Sequence, residues 1–338
     1  MIVDVELSGE WPELARAELT AVAGTLGVRG APVAVALSTM RVDLANGEAA
    51  REMIERLSLA RRASARLGLL DECAPAPRAP GEGGCVRRRG HPTGGARDPA
   101  IDLWAGRWIA AGGTIDLTAP ARRFWIVSDP SSEGNELFEE IGASERTALV
   151  GRRISLLPFR RPVGLDPRLA RAAANLAGAG PGRTVVDPFV GTGALLAEAA
   201  LLGARVWGID RDPEMVRGAA RNLEFLGRPA ERLIGGDSAA VAAEVGAATF
   251  DALLTDAPYG RASPTGGEPV AALLERVLPP WAARVRPGGR VVLVTAGGPD
   301  PLPSPWRRTV SVAVRQHRSL TREFRVYERA GAGPAATL

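Results

Sequence analysis

From Arg183 onward, short apolar runs alternate with longer stretches of helical spacing. Thr184 to Val186 is a β-branched run ending at Asp187, and Leu195 to Leu202 reads as an Ala-rich helix. Arg205 to Ile209 reads as the next strand and ends at Asp210; Glu214 to Leu226 follows as a helix with Met215, Ala219, Asn222 and Leu226 near one face. A short strand around Arg232 to Ile234 precedes Gly235-Gly236-Asp237, and Ala252 to Leu254 leads into Asp256. Val270 to Val285 reads as a helix, and Val291 to Thr295 as a strand after the Pro287-Gly288-Gly289 turn. Strands alternating with helices predict a parallel sheet covered on both faces, the α/β class. Ligands of such sheets bind outside the carboxyl ends of the strands. The spacing therefore predicts Asp187, Asp210, Asp237 and Asp256 along one rim.

The first part of the chain has a different rhythm. Ile2 to Glu6 reads as a strand, and Trp11, Leu14, Ala15, Leu19 and Val22 have helical spacing. Val33 to Leu37 and Arg41 to Leu44 read as paired strands, Glu48 to Leu59 as a helix and Ala65 to Leu70 as a strand. This order fits a small ferredoxin-like α+β unit. Ala74 to Gly84 is rich in Pro and Gly and reads as a linker or long loop. Beyond it come a start at Cys85 to Arg89, a helix over Asp98 to Ala111, and strands over Arg123 to Val127 and Asn135 to Glu139. The expected organisation is a unit over 1–72, a second over 73–147, a connection over 148–162 and a C-terminal domain over 163–330.

Composition adjusts this picture in a few places. A chain of 338 residues, 46% hydrophobic, is long enough for two or three packed domains. The chain contains no lysine, so all 42 basic residues are arginine, and the net charge is +4. Guanidinium forks match phosphates and stack on bases. The runs Arg87-Arg88-Arg89, Arg122-Arg123, Arg152-Arg153 and Arg160-Arg161 are candidates for contact with an RNA backbone, although paired arginines also suit an ordinary solvated face. Cys73 and Cys85 are the only cysteines and there are two histidines, so no metal site is expected and a reducing cytoplasm is the default. No uninterrupted apolar span is long enough to cross a bilayer, and the start, with Asp4 and Glu6, does not resemble a signal peptide. No obligate protein partner is evident, and a monomer is expected. Ala330 to Leu338 reads as a fraying tail.

Two loops carry the chemistry. In Asp187-Pro188-Phe189-Val190-Gly191-Thr192-Gly193, Gly191 and Gly193 let the backbone approach a ligand closely. Asp210 has the spacing of an acid that accepts both hydroxyls of a ribose. Asp237 is placed to accept from an adenine amine, and Asp187 to orient the loop or meet the amino-acid part of a nucleoside cofactor. Each of these acids also suits helix capping or turn formation, and that is the preferred reading for Asp212 and Asp300. The second loop is Thr255-Asp256-Ala257-Pro258-Tyr259-Gly260. An amine on a planar ring is a poor nucleophile because its lone pair is delocalised. A carboxylate and a backbone carbonyl accepting its hydrogens draw that lone pair outward. Asp256 supplies the carboxylate, and Ala257 and Pro258 the candidate carbonyls. Pro258 stiffens the turn, and Tyr259 offers a face on which an extruded base can stack. Together the loops predict methyl transfer from S-adenosylmethionine (SAM) to a base nitrogen. NAD is the rival cofactor, but Leu196 stands where the third glycine of its fingerprint belongs.

With the Gly loop, Asp210 and the Asp256 loop, the chain resembles class I SAM-dependent amino-methyltransferases. Their usual loop has two prolines after the acid, and Ala257 here replaces the first, keeping its carbonyl. Leu165-Asp166-Pro167-Arg168-Leu169-Ala170-Arg171 and His317-Arg318-Ser319-Leu320-Thr321-Arg322 narrow the likeness to archaeal tRNA guanine-N2 methyltransferases with a THUMP domain, those acting on guanine 10 of tRNA. The likeness is strong from about Pro162 to Glu328 and weak before it. It implies a Rossmann-like methyltransferase domain and an N-terminal RNA-binding region, with THUMP over 73–147. It places Pro167 near SAM, Asp187, Gly191, Gly193, Asp210 and Asp237 around it, and the target guanine against Asp256, Ala257, Pro258 and Tyr259. His317 is read as structural. Other readings are another guanine of tRNA or rRNA, adenine N6 methylation, and a non-catalytic RNA-binding protein on the same fold.

Overall fold

The computed structural model describes residues 1–73, 75–89, 98–128, 134–144, 146–161, 164–258, 267–317 and 320–330. Two compact units separate by their contacts: Met1–Leu7, Gly27–Glu55 and Ala60–Ser144 form the first, and Ser8–Leu26, Arg56–Leu59 and Glu145–Leu338 the second. The elements up to residue 144 are β1 (Ile2–Leu7), α1 (Pro12–Thr25), β2 (Val33–Ala36), β3 (Thr39–Asp43), α2 (Gly47–Arg56), β4 (Ala60–Leu69), β5 (Gly83–Arg88), α3 (Pro99–Ala110), β6 (Thr114–Ile115), β7 (Arg122–Ser128) and β8 (Asn135–Ala143). Then come α4 (Arg146–Gly151), a 3-10 turn (Ile154–Leu156), α5 (Pro167–Leu176), β9 (Thr184–Asp187), α6 (Ala194–Leu201), β10 (Arg205–Asp210), α7 (Pro213–Phe225), β11 (Arg232–Gly235), α8 (Ser238–Glu244), β12 (Phe250–Asp256), α9 (Val270–Ala282), β13 (Val285–Thr295), β14 (Trp306–His317) and β15 (Leu320–Arg329).

The first unit holds one sheet in the order β2-β3-β1-β4-β8-β7-β5-β6. The antiparallel pair β4 and β8, with Ala65 opposite Glu139, joins the strands of its two stretches. Its core is aromatic. Trp104 and Trp108, one helical turn apart on α3, are fully buried and stack with centroids 5.4 Å apart beside Phe124. α3 starts where Asp98 accepts from the Ala100 N–H at 3.0 Å and Pro99 takes the first turn.

The second unit holds a sheet in the order β11-β10-β9-β12-β13-β15-β14. β9 to β13 run parallel, and the β14–β15 hairpin adds antiparallel strands at one edge. Val185, Val186, Leu253, Leu254 and Val291 to Val294 are fully buried, as strands covered on both faces must be. Val186, Ile209, Leu253 and Leu293 cluster with Val277, Leu278 and Trp281 of α9. The chain runs from β9 out to β10 and β11, then crosses back to β12 on the other side of β9. That reversal opens a crevice at the carboxyl ends of β9, β10 and β12.

α1 belongs with this second unit and packs on α5. Glu18 of α1 is fully buried and accepts from the Ser58 N–H (2.9 Å), Ser58 Oγ (2.7 Å), the Leu59 N–H (2.9 Å) and Asn175 Nδ2 (2.8 Å). Burial pushes its carboxyl up from the ordinary value while these donors pull it back. One turn before Asn175 on α5, Arg171 reaches Glu198 of α6 at 2.7 Å, as does Arg152. Some elements differ from the sequence reading. The segment from Pro167 is a helix, α8 is added after Asp237, and β13 begins at Val285, so the Pro287-Gly288-Gly289 turn lies inside it. The pattern of α5 is strongly amphipathic and was available in the sequence, whereas α8 is a short, alanine-rich turn of helix with little contrast to read.

Candidate active site

A cavity of about 530 Å³ lies at the crevice, a size ordinary for small-molecule ligands. Asp187, Asp210, Asp212, Asp237 and Asp256 line it, with Gly191, Thr192, Ala257 and Pro258.

The Gly loop is built by local hydrogen bonding. The Val190 N–H donates to the Ile209 carbonyl at 2.8 Å and the Gly193 N–H to the Val190 carbonyl at 2.8 Å, while Asn222 Nδ2 holds the Thr192 carbonyl at 2.9 Å. Gly191 and Gly193 have φ of +50° and +82°, a region other residues rarely enter. Gly193 ends the loop as the N-cap of α6, packed against Ala219. It is not among the cavity-lining residues, and neither is Pro167, which is buried in the first turn of α5. There Asp166 accepts from the Arg168 N–H at 2.9 Å.

Asp210 stands at the end of β10. Its Oδ2 accepts from the Gly191 N–H and its Oδ1 from the Asp212 N–H, both at 3.0 Å. Burial raises its pKa against these donors. Asp187 is deeper. It accepts from Thr255 Oγ1 at 2.6 Å and from the Phe189 N–H at 2.9 Å. Burial first, then the neighbouring charges of Asp256 and Asp210, push its carboxyl up to about 7. Asp212 caps α7 through the Glu214 N–H at 2.8 Å, as read from the sequence. Asp237 caps α8 through the Ala239 and Ala240 N–H groups and also meets Arg276 at 2.9 Å. Arg276 holds its pKa below the ordinary value. Asp237 thus takes the capping role while still facing the cavity.

Asp256 ends β12, next to β9 in the sheet. Its Oδ2 lies 3.3 Å from Arg322 Nη1, and its Oδ1 is buried with no hydrogen-bond partner among the described residues. Burial raises the pKa to about 6, against the lowering effect of Arg322. The Ala257 N–H donates to the Val294 carbonyl at 2.9 Å, a bond that a proline in this position could not form. It ties the loop to β13 where a second ring would otherwise stiffen it. Tyr259 and the His317 side chain lie outside the described residues.

Sequence reasoning assigned no role to Thr255, Arg276 or Arg322. Thr255 precedes Asp256 in the chain but donates to Asp187 on the neighbouring β9, a pairing that only the sheet order reveals. The two arginines reach the site only through tertiary packing.

Five aspartates share the cavity wall with Arg161, Arg211, Arg276 and Arg322. A buried acceptor without a donor among the described residues, beside a Gly loop, fits a nucleoside cofactor and an incoming amine. Strand order and site together define a methyltransferase fold. Residues 156–305 match the RMKL-like methyltransferase domain family. TrmN from Thermus thermophilus shares the fold, with a TM-score of 0.53 and 24% identity over 97% of this chain and 100% of that one. Among curated relatives, the tRNA (guanine(10)-N2)-dimethyltransferase of Methanothermobacter thermautotrophicus is 36% identical over 176 residues, 51% of each chain. The enzyme of the same name from Pyrococcus abyssi is 44% identical over 109 residues, 32% of each. The chain thus spans about half the length of the first relative and about a third of the second.

Proposed function

We propose that the protein is a SAM-dependent tRNA methyltransferase that forms N2-methylguanosine, and by a second transfer N2,N2-dimethylguanosine, at position 10 of tRNA. The observation that carries this reading is that Asp256, whose Oδ1 has no hydrogen-bond partner among the described residues, shares one cavity with the Gly loop. When bound, SAM supplies a methyl group on a sulfonium carbon. Asp210 holds the ribose hydroxyls, Asp187 faces the cationic amino-acid end, and the loop over Gly191 keeps the backbone close. Gly193 and Pro167 act from behind, by setting the start of α6 and α5. Asp237 faces the adenine amine when Arg276 yields it. Asp256 and the carbonyls of Ala257 and Pro258 accept the N2 hydrogens, and Tyr259 stacks on the flipped guanine. Preorganised acceptors need no reorganisation as the lone pair turns toward carbon. Leu196 in place of the third glycine of the dinucleotide fingerprint is the support for SAM over NAD.

The first four strands, ordered β2-β3-β1-β4 with α1 and α2 as their crossovers, support a ferredoxin-like reading of the N-terminal stretch, and the remainder of that sheet is the proposed THUMP-like tRNA grip. Among the described residues, no helix is long and apolar enough to cross a membrane; we place the reaction in the cytoplasm, with tRNA as the partner. Methyl transfer from labelled SAM to unmodified tRNA transcripts, followed by nucleoside mapping, tests the reading. Label on N6-methyladenosine rejects the guanine assignment. Activity unchanged after replacing guanine 10 rejects the position.

A further inference from the structure

Arg322 is 1% exposed and comes from the start of β15, two strands away from Asp256 in the sheet order β12-β13-β15. The ladder explains how it arrives. Asp256 pairs with Val294, and Thr295, the last residue of β13, pairs with Glu323. Arg322 therefore lies one residue beyond the end of the intervening strand. Its side chain passes that end and meets Asp256 Oδ2 at 3.3 Å on the wall of the cavity.

We propose that Arg322 is the positioning residue of the reaction, holding Asp256 by one oxygen so that the other stays aimed and charged for the amine. The inference rests on the functional reading above. A carboxylate on a strand end rotates about two side-chain bonds, and an ion pair at one oxygen biases which way the other points. A buried guanidinium beside it also favours the ionised form, in which both oxygens accept and neither donates. The groups facing Asp256 are Arg322 from β15 and Asp187 from β9, and Asp210 acts on Asp187 in turn. Val294 and Thr295, alongside on β13, carry no charge. Arg322 favours ionisation of Asp256, and the charge of Asp256 in turn raises Asp187. A lysine keeps the charge but not the planar fork.

Single-turnover methylation of tRNA transcripts is measured from about pH 5 to 9 for wild type, Arg322→Gln and Arg322→Lys, with SAM affinity measured calorimetrically for each. For Arg322→Gln the rate at neutral pH falls roughly 10- to 100-fold, and its acid limb moves up by about one pH unit. SAM affinity stays within about threefold. Arg322→Lys keeps the limb near the wild-type position and recovers part of the rate. Arg322→Met, of similar length and uncharged, carries the same expectation and decides the matter if the Gln variant does not fold. An acid limb that stays in place in a folded neutral variant, however slow that variant, reduces Arg322 to packing and overturns the proposal. A wild-type protein that labels no guanine overturns the functional reading and this inference with it.

Discussion

At the scale of single residues, the site divides by how its carboxylates are partnered. Asp256→Ala should lower turnover roughly 100- to 1000-fold, since it removes a preorganised acceptor, while SAM affinity changes little. Asp210→Ala should do the reverse and weaken SAM; single-turnover rates and calorimetry separate the two. Asp187 carries a pH signature. Its pKa of about 7 lies well above the ordinary carboxylate value, so between about pH 4 and 7 the folded protein holds a proton that the unfolded chain has lost. Its contribution to stability is therefore present at the acid end and fades as pH rises through that window. A cationic ligand prefers the carboxylate, so SAM affinity should increase with pH up to about 7 and level off above it, with proton release on binding. Asp187→Asn should flatten that dependence in calorimetry; an unchanged slope would remove Asp187 from the cofactor site. These three acids were legible in the sequence because each closes an apolar run, and a run's end is visible without coordinates. Arg322 was not, because its place depends on how far β13 extends before β15 passes it.

At the scale of elements, positions without side chains hold the Gly loop in place. A Cβ on Gly218 of α7 would lie 2.0 Å from the ring of Phe159, whose backbone N–H and carbonyl are both bonded to Asn222. Asn222 also fixes Thr192 of the Gly loop. Ordinary helix propensity makes Gly→Ala stabilising by about 1 kcal/mol. Here Gly218→Ala should instead destabilise by roughly 1–3 kcal/mol through overpacking, and should weaken SAM binding as the segment at Phe159 is displaced. Thermal denaturation and calorimetry read both effects; a stabilised variant would show that Phe159 does not seat there. The strand–helix alternation was legible because β9 to β13 are apolar and regularly interrupted. α8 was hidden by its uniform alanines, and the Phe159–Gly218 contact pairs distant segments that no local pattern links.

At the scale of the whole molecule, the absence of lysine leaves every basic contact to arginine. Many of those arginines are already committed to carboxylates: Arg122 to Glu139 at 2.7 Å, Arg66 to Glu136 at 2.6 Å, Arg41 to Asp4 at 2.8 Å. The run Arg122-Arg123 is thus in part a structural feature, which charge counting does not reveal. The remaining phosphate contacts should still make tRNA binding salt-dependent: the apparent affinity should fall about tenfold or more between roughly 50 and 200 mM salt, while SAM affinity holds. A flat salt response in filter binding would argue against an electrostatic grip on RNA. Division of the chain was the least legible feature of all, because residue order places α1 among the N-terminal strands while its buried flank seats on α5. The attachment through Glu18 has a practical consequence. A fragment cut at residue 146 would carry the complete seven-stranded sheet, yet it would bare the flank of α5 and strand the Asn175 amide without its acceptor. Such an excised half should aggregate on expression, and supplying a peptide covering Ser8–Leu26 should recover soluble material.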